Sequence, residues 1–323
     1  MGDEKQIGSF LGENGSSGEV AQVLATTARA DRWLRRRVLF ASQSTKWPIS
    51  AMLRAAAFAD YLNAEMIVVQ VSKSLVGRRS LFRREFPHES IGRWAKNLAE
   101  STARCNYILP GAIPSKNLLL RQGDFVREVV TTALETGADL VVMPADMKRS
   151  GLLAMDVAHF AKVPVLVARP PRSHNIVLAA TTLADGRYPV LNKARQLGGL
   201  MDAQMVFVHN VAPVKVSVAH EKQDGPMVVL KGEKADQAQA RLKTVAHKFP
   251  RCIAAVVKKR LNTAQAILEA ARECDAELIV LGVKRRSSPI ERMLGGCVAA
   301  RVAEHAWRSV LLAPVPELGA EIP

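Results

Sequence analysis

At 323 residues, with 48% hydrophobic and 23% charged side chains, the chain has the size of two globular domains of roughly 100–200 residues each and too much apolar material for a disordered chain. No apolar run reaches the roughly 18–20 residues of a membrane span, and an N-terminus with Asp3 and Glu4 and no apolar stretch does not read as a secretory signal, so the expected compartment is the cytoplasm. The net charge of +15 is spread along the chain (−2 over 1–34, +10 over 35–172, +7 over 173–323) and attracts nucleotides, nucleic acid and acidic lipid alike, while 5% aromatics argues against a base-stacking platform.

Residues 1–34 read as a flexible leader, glycine-rich to Gly18, with an amphipathic helix over 19–34. Val38-Leu39-Phe40-Ala41 then predicts a short buried strand, Ile49–Leu62 has helical spacing, and Met66-Ile67-Val68-Val69-Gln70-Val71 predicts a second strand. Strand, helix, strand with β-branched runs is the pattern of a parallel βαβ unit. The order recurs later: strand Ile176–Ala180, helix 188–200, strand Met205–Val208. Ala64 and Ala203, in NAEMIVV and DAQMVFV, are 139 residues apart; Ala138 and Ala276, in GADLVVMP and DAELIVLG, are 138 apart. The offset then jumps to 145 between Val165-Leu166 and Val310-Leu311. The chain is therefore expected to repeat one unit of about 140 residues, over 35–170 and 174–316, with a tail at 317–323 and one loop seven residues shorter in the first copy. A length change confined to one loop marks it as functional in the copy that keeps it; drift in a surface loop is the plainer alternative.

In an open parallel sheet, ligands sit beyond the carboxyl ends of the strands, where the strand order reverses. With strand one beside strand four, two loops line that crevice in the second copy: the one after Ala180, beginning at Thr181, and the run from Gly282 to Cys297. This run suits an anion. Gly282 lets the backbone turn off its strand, Lys284, Arg285 and Arg286 bring positive charge, and Gly295 and Gly296 lie where the next helix begins, with Cys297 at its opening.

Gly282, two residues, Arg285, nine residues, Gly295-Gly296 keeps a spacing that resembles the nucleotide loop of the universal stress protein family: Gly, two residues, Gly, nine residues, Gly and then Ser or Thr. DAELIVLG before the loop and SVLLAP after it are similar to the family too, and the resemblance covers about 36–316. It implies two tandem flavodoxin-like (adenine nucleotide alpha hydrolase-like) three-layer α/β domains with mainly parallel five-stranded sheets, packed as a pseudo-dimer. Pairing, and self-association generally, would run through the last strands, Val163–Ala168 and Ser309–Ala313. It implies a stress-response binding or regulatory module with no obligate cofactor and an adenine nucleotide, ATP or AMP, as ligand. The candidate contacts are Thr181, Gly282, Lys284, Arg285, Gly295, Gly296 and Cys297. Three positions depart from the pattern: Arg285 replaces the second glycine, Gly296 the hydroxyl residue, and Thr181 the family's Asp at the end of strand one, with Asp185 four residues on.

The first copy departs further. Gln43 ends its first strand, and its loop, read as Pro144 to Asp156, lacks the leading glycine and the Gly-Ser pair and carries Asp146 and Asp156. It is expected to bind no nucleotide. Two alternatives stand beside the nucleotide module: an interaction protein with vestigial crevices, and a basic nucleic-acid-associated protein using runs such as Gly77–Arg84 and Lys258–Arg260. His209 ends a strand near the crevice and reads as a packing or hydrogen-bonding residue. Cys105, Cys252, Cys274 and Cys297 show no CxxC spacing, the seven histidines no metal spacing, and no acid, base and nucleophile set emerges, so neither metal nor catalysis is expected.

Overall fold

The computed structural model describes residues 36–43, 48–72, 88–111, 113–171, 175–184, 186, 188–211, 235–283 and 298–315. The expected leader helix, the Gly77–Arg84 run and the tail lie outside the described residues. From Arg37 onward the chain forms one compact unit.

The first half runs β1 (Arg37–Ser42), α1 (Ile49–Leu62), β2 (Glu65–Ser72), α2 (His88–Ile108), β3 (Leu118–Gln122), α3 (Phe125–Thr136), β4 (Leu140–Pro144), α4 (Ser150–Ala161) and β5 (Val165–Ala168). The second runs β6 (Ile176–Ala180), α5 (Pro189–Leu200), β7 (Gln204–Asn210), α6 (Ala235–Ala246), β8 (Cys252–Lys258), α7 (Thr263–Glu273), β9 (Leu278–Val283), α8 (Val298–His305) and β10 (Ser309–Pro314). The strands form one sheet in the order β3-β2-β1-β4-β5-β10-β9-β6-β7-β8, so each half has the same 3-2-1-4-5 arrangement. All pairs are parallel except β5 with β10.

Residue choice explains these elements. The central strands β1, β4, β5, β9 and β10 are covered on both faces, so they are apolar runs rather than alternating ones. Helices that cover them start and stop on local chemistry. Asp124 caps α3 by accepting from the Arg127 N–H (3.0 Å), and Gly137, at φ 63, ends it. Asn262 caps α7 by accepting from Ala264 (3.1 Å) and Gln265 (3.3 Å). Side chains of α1, α5 and α6, with Cys105 of α2, pack with Phe40, Phe207 and Leu311 on one face of the sheet. Those of α3, α4, α7 and α8 pack with Leu39, Val141, Ile279 and Val310 on the other. The result is helix, sheet, helix in three layers. Each large side chain fully buried here, such as Phe40 or Phe207, stabilises the fold by about 1.5–3 kcal/mol relative to exposure.

The last strands meet as the sequence suggested, but within one chain: Val310, Leu311 and Leu312 pair with Val167, Leu166 and Val165. β5 lies between β4 and β10, and β10 between β9 and β5, so neither offers an open edge to a second chain. One sequence expectation is corrected. The first-copy loop ends at Arg149, and Ser150 to Asp156 belong to α4. Arg149 takes the left-handed conformation (φ 61), which turns the chain into the helix three residues after Asp146.

Candidate functional site

The crevice of the second half lies where β6 has β7 on one side and β9 on the other. Val177, Leu178 and Ala179 pair with Leu278, Ile279 and Val280. Two of the seven candidate residues, Thr181 and Gly282, each lie two positions beyond the last paired residues, Ala179 and Val280. Lys284, Arg285, Gly295, Gly296 and Cys297 lie outside the described residues, as does Asp185.

Thr181 is held from three directions. Its N–H donates to Val208 (3.0 Å), its hydroxyl oxygen accepts from the Leu183 N–H (3.1 Å), and its carbonyl accepts from His209 Nδ1 (2.8 Å). A carbonyl can only accept, so Nδ1 of His209 carries the proton of this bond. Next along β7, the Asn210 amide donates to the Arg260 carbonyl (3.0 Å) and to Thr263 Oγ1 (3.0 Å) and accepts from the Arg260 N–H (3.0 Å). Asn210 therefore ties the end of β7 to the turn that leads from β8 into α7. Neither His209 nor Asn210 was among the candidates. The bland reading of His209 as a hydrogen-bonding residue holds, but nothing in the sequence reveals its partner 28 positions away.

Gly282 differs from its expected role. It lies inside β9, paired with Ala313 of β10, and is not a turn. A Cβ there would stand 2.8 Å from Val190 Cγ2 and 2.8 Å from Val315 Cγ2. The glycine is needed for close packing of these two valines against the strand.

The first half is built differently at the same place. Its strand-to-helix connection is residues 145–149, against 284–297 in the second half. The free N–H groups at a helix start are what an anion would use, and those of α4 are already engaged. Ser150 donates to Met147 O (3.0 Å), Leu152 and Leu153 to Arg149 O (3.0 and 3.1 Å), and Gly151 to Glu304 Oε2 (2.9 Å). Gln70, which corresponds to His209, is buried and bonded to Ser101 Oγ of α2.

Among the described residues, two cations of the Lys258–Arg260 run and three of the thiols have surroundings that fix their state. Lys258 is held by Glu273 (2.6 Å), and Arg260 makes two bonds of 2.9 Å to Glu269, so two of the three cations in this basic run are paired locally. Burial pushes the Cys105 thiol up to about 11 and raises Cys252 and Cys274, so these three stay protonated at neutral pH. Among the described residues no group of His, Cys, Asp and Glu could hold a metal ion, and no helix is long and apolar enough to cross a membrane.

Two 3-2-1-4-5 halves in one doubly wound sheet, with crevices at the β1/β4 and β6/β9 strand ends, define a tandem α/β protein of the flavodoxin-like kind. Residues 174–314 match the model of the Universal stress protein family. Among solved structures the chain is similar to a universal stress protein from Archaeoglobus fulgidus DSM 4304 (TM-score 0.58, 14% identity, 87% of this chain and 97% of that one). It is also similar to a functionally unknown protein from Pseudomonas aeruginosa PAO1 (TM-score 0.53, 15% identity, 88% and 94%). At such identities the likeness shows the fold alone. No curated protein matches the chain.

Proposed function

We propose that this chain is a cytoplasmic stress-response binding module made of two domains, 35–170 and 174–316, in which only the second takes an adenine nucleotide, ATP or AMP. The observation that carries the reading is the asymmetry of the two crevices. In the first, the connection after β4 is short and the α4 N–H groups have internal partners. In the second, Thr181 and Gly282 flank the strand ends and the connection to α8 has the length, glycines and cations of an anion loop. Phosphates would be held by Lys284, Arg285 and the Gly295-Gly296-Cys297 stretch rather than by Gly282, whose flank the two valines fill.

That same filled flank favours a second reading, an interaction protein whose crevices are vestigial. Calorimetric titration with ATP, ADP and AMP at physiological salt separates the two. Saturable binding at one site per chain supports the nucleotide module. No heat, together with no change in melting temperature at millimolar nucleotide, sinks it. Binding should also depend little on salt, because a pocketed ligand releases few counterions compared with a nucleic-acid backbone.

A further inference from the structure

The sheet has two outer strands, β3 and β8, which take the same place in the two halves. On β8 the outward main-chain groups are met by the Gln239 amide, which donates to the Ala255 carbonyl (2.8 Å) and accepts from the Val257 N–H (3.2 Å). A side-chain amide offers the donor and the acceptor of a peptide group, so Gln239 takes the place of a neighbouring strand. The registers give the matching groups on β3. Val69 pairs with Leu119 as Val208 pairs with Val256, so Leu118 and Leu120 correspond to Ala255 and Val257.

Local bonds give the same direction. Ser72 O accepts from the Gly123 N–H (3.0 Å) and Ser72 Oγ donates to the Arg121 carbonyl (3.2 Å), so Arg121 and Gly123 turn toward β2. Main-chain groups alternate along a strand, so those of Leu118, Leu120 and Gln122 turn outward. The Leu118 N–H is taken by Ser115 O. Among the described residues, nothing bonds to the Leu118 carbonyl or to the N–H and carbonyl of Leu120 and Gln122. The side chains here are apolar and only half-buried at Leu118, Leu119 and Leu120.

Such an edge is completed by another strand, and the charges around it suit a copy of itself. Lys116 precedes β3 and Asp124 follows it, both exposed. An antiparallel pair centred on Leu120 puts the Lys116 end of each strand beside the Asp124 end of the other, twice by symmetry. A parallel pair would set like ends together. In the antiparallel pair Leu120 exchanges main-chain bonds with Leu120 of the second copy, and the Gln122 N–H donates to its Leu118 carbonyl. Leucine meets leucine at the centre. Arg121, which falls opposite Leu119 of the second copy, has its charge paired with Glu135 of α3.

We infer that β3 is a docking edge for a second copy of this chain, the two joining antiparallel through Leu118–Gln122 with Leu120 on the two-fold axis. The inference is independent of any nucleotide. Gln239 closes the other end of the sheet, so pairing stops at two chains instead of running on into a filament.

The test is sedimentation velocity of the full chain up to submillimolar concentration, with hydrogen exchange read at the Leu120 and Gln122 amides. A monomer–dimer equilibrium is expected, with both amides slowed about tenfold or more where the dimer dominates. K116E, at an exposed residue outside the ladder, should weaken the dimer about tenfold by turning two attractive contacts into repulsive ones. L120P removes the central donor and should leave only monomer; an edge strand accepts proline where its N–H turns outward. Should L120P not fold, K116E decides. A parent that stays monomeric, or that forms species larger than a dimer, overturns the inference. So does a dimer whose Leu120 and Gln122 amides exchange at the monomer rate, or one that K116E leaves as tight as before.

Discussion

Gly282 has the spacing of a loop glycine in the sequence and the packing of a strand residue in the fold. Its spacing from Gly295 marked a nucleotide loop, but in the fold it is a strand residue pressed by Val190 and Val315. G282A should therefore destabilise by about 1–3 kcal/mol, the usual cost of overpacking, as measured by urea denaturation. V190A in the same chain should recover part of that loss, because it relieves one of the two contacts. A G282A protein as stable as the parent would contradict the packing role. Thr181 was legible as a strand-end residue; that its hydroxyl, N–H and carbonyl all have partners was not, because Val208 and His209 are distant in sequence.

Among elements, strands and helices with strong periodicity were legible to within a residue or two. Ile49–Leu62 and Ile176–Ala180 match their predicted spans. The start of α4 was not, because a left-handed Arg149 rather than a glycine or a capping side chain begins it. β8 carries a device that no sequence pattern announces. Lys258 O accepts from Val211 on the β7 side, so alternate backbone groups at Ala255 and Val257 point outward from the sheet. Gln239 of α6 meets them, donating to Ala255 O (2.8 Å) and accepting from the Val257 N–H (3.2 Å). Its amide stands where a further strand would pair. Q239A should leave this edge open and promote self-association, seen as a concentration-dependent mass increase in light scattering. A strictly monomeric variant at high concentration would show that other groups cover the edge.

At the scale of the whole molecule, the joined halves depend on the Arg54–Glu277 pair, whose side chains are 5% and 4% exposed. Removing one partner leaves a buried charge, so R54M should lower stability by about 3–5 kcal/mol, and R54M with E277M should restore most of it. Because the pair bridges the halves, probes in both should report the same shifted unfolding midpoint. Loss confined to one half would mean that the halves are not coupled through this pair.

By itself the sequence determined the α/β class, the repeated order of elements, and the strand ends at which a ligand would sit. These follow from local periodicity and from apolar runs, which each segment carries whatever surrounds it. Only the tertiary structure decided that β5 and β10 satisfy one another, that Glu304 takes the α4 start, and that valines press on Gly282. Each of these joins residues from distant segments, and whether a backbone group is engaged or open depends on which of them the fold brings within hydrogen-bond or van der Waals reach.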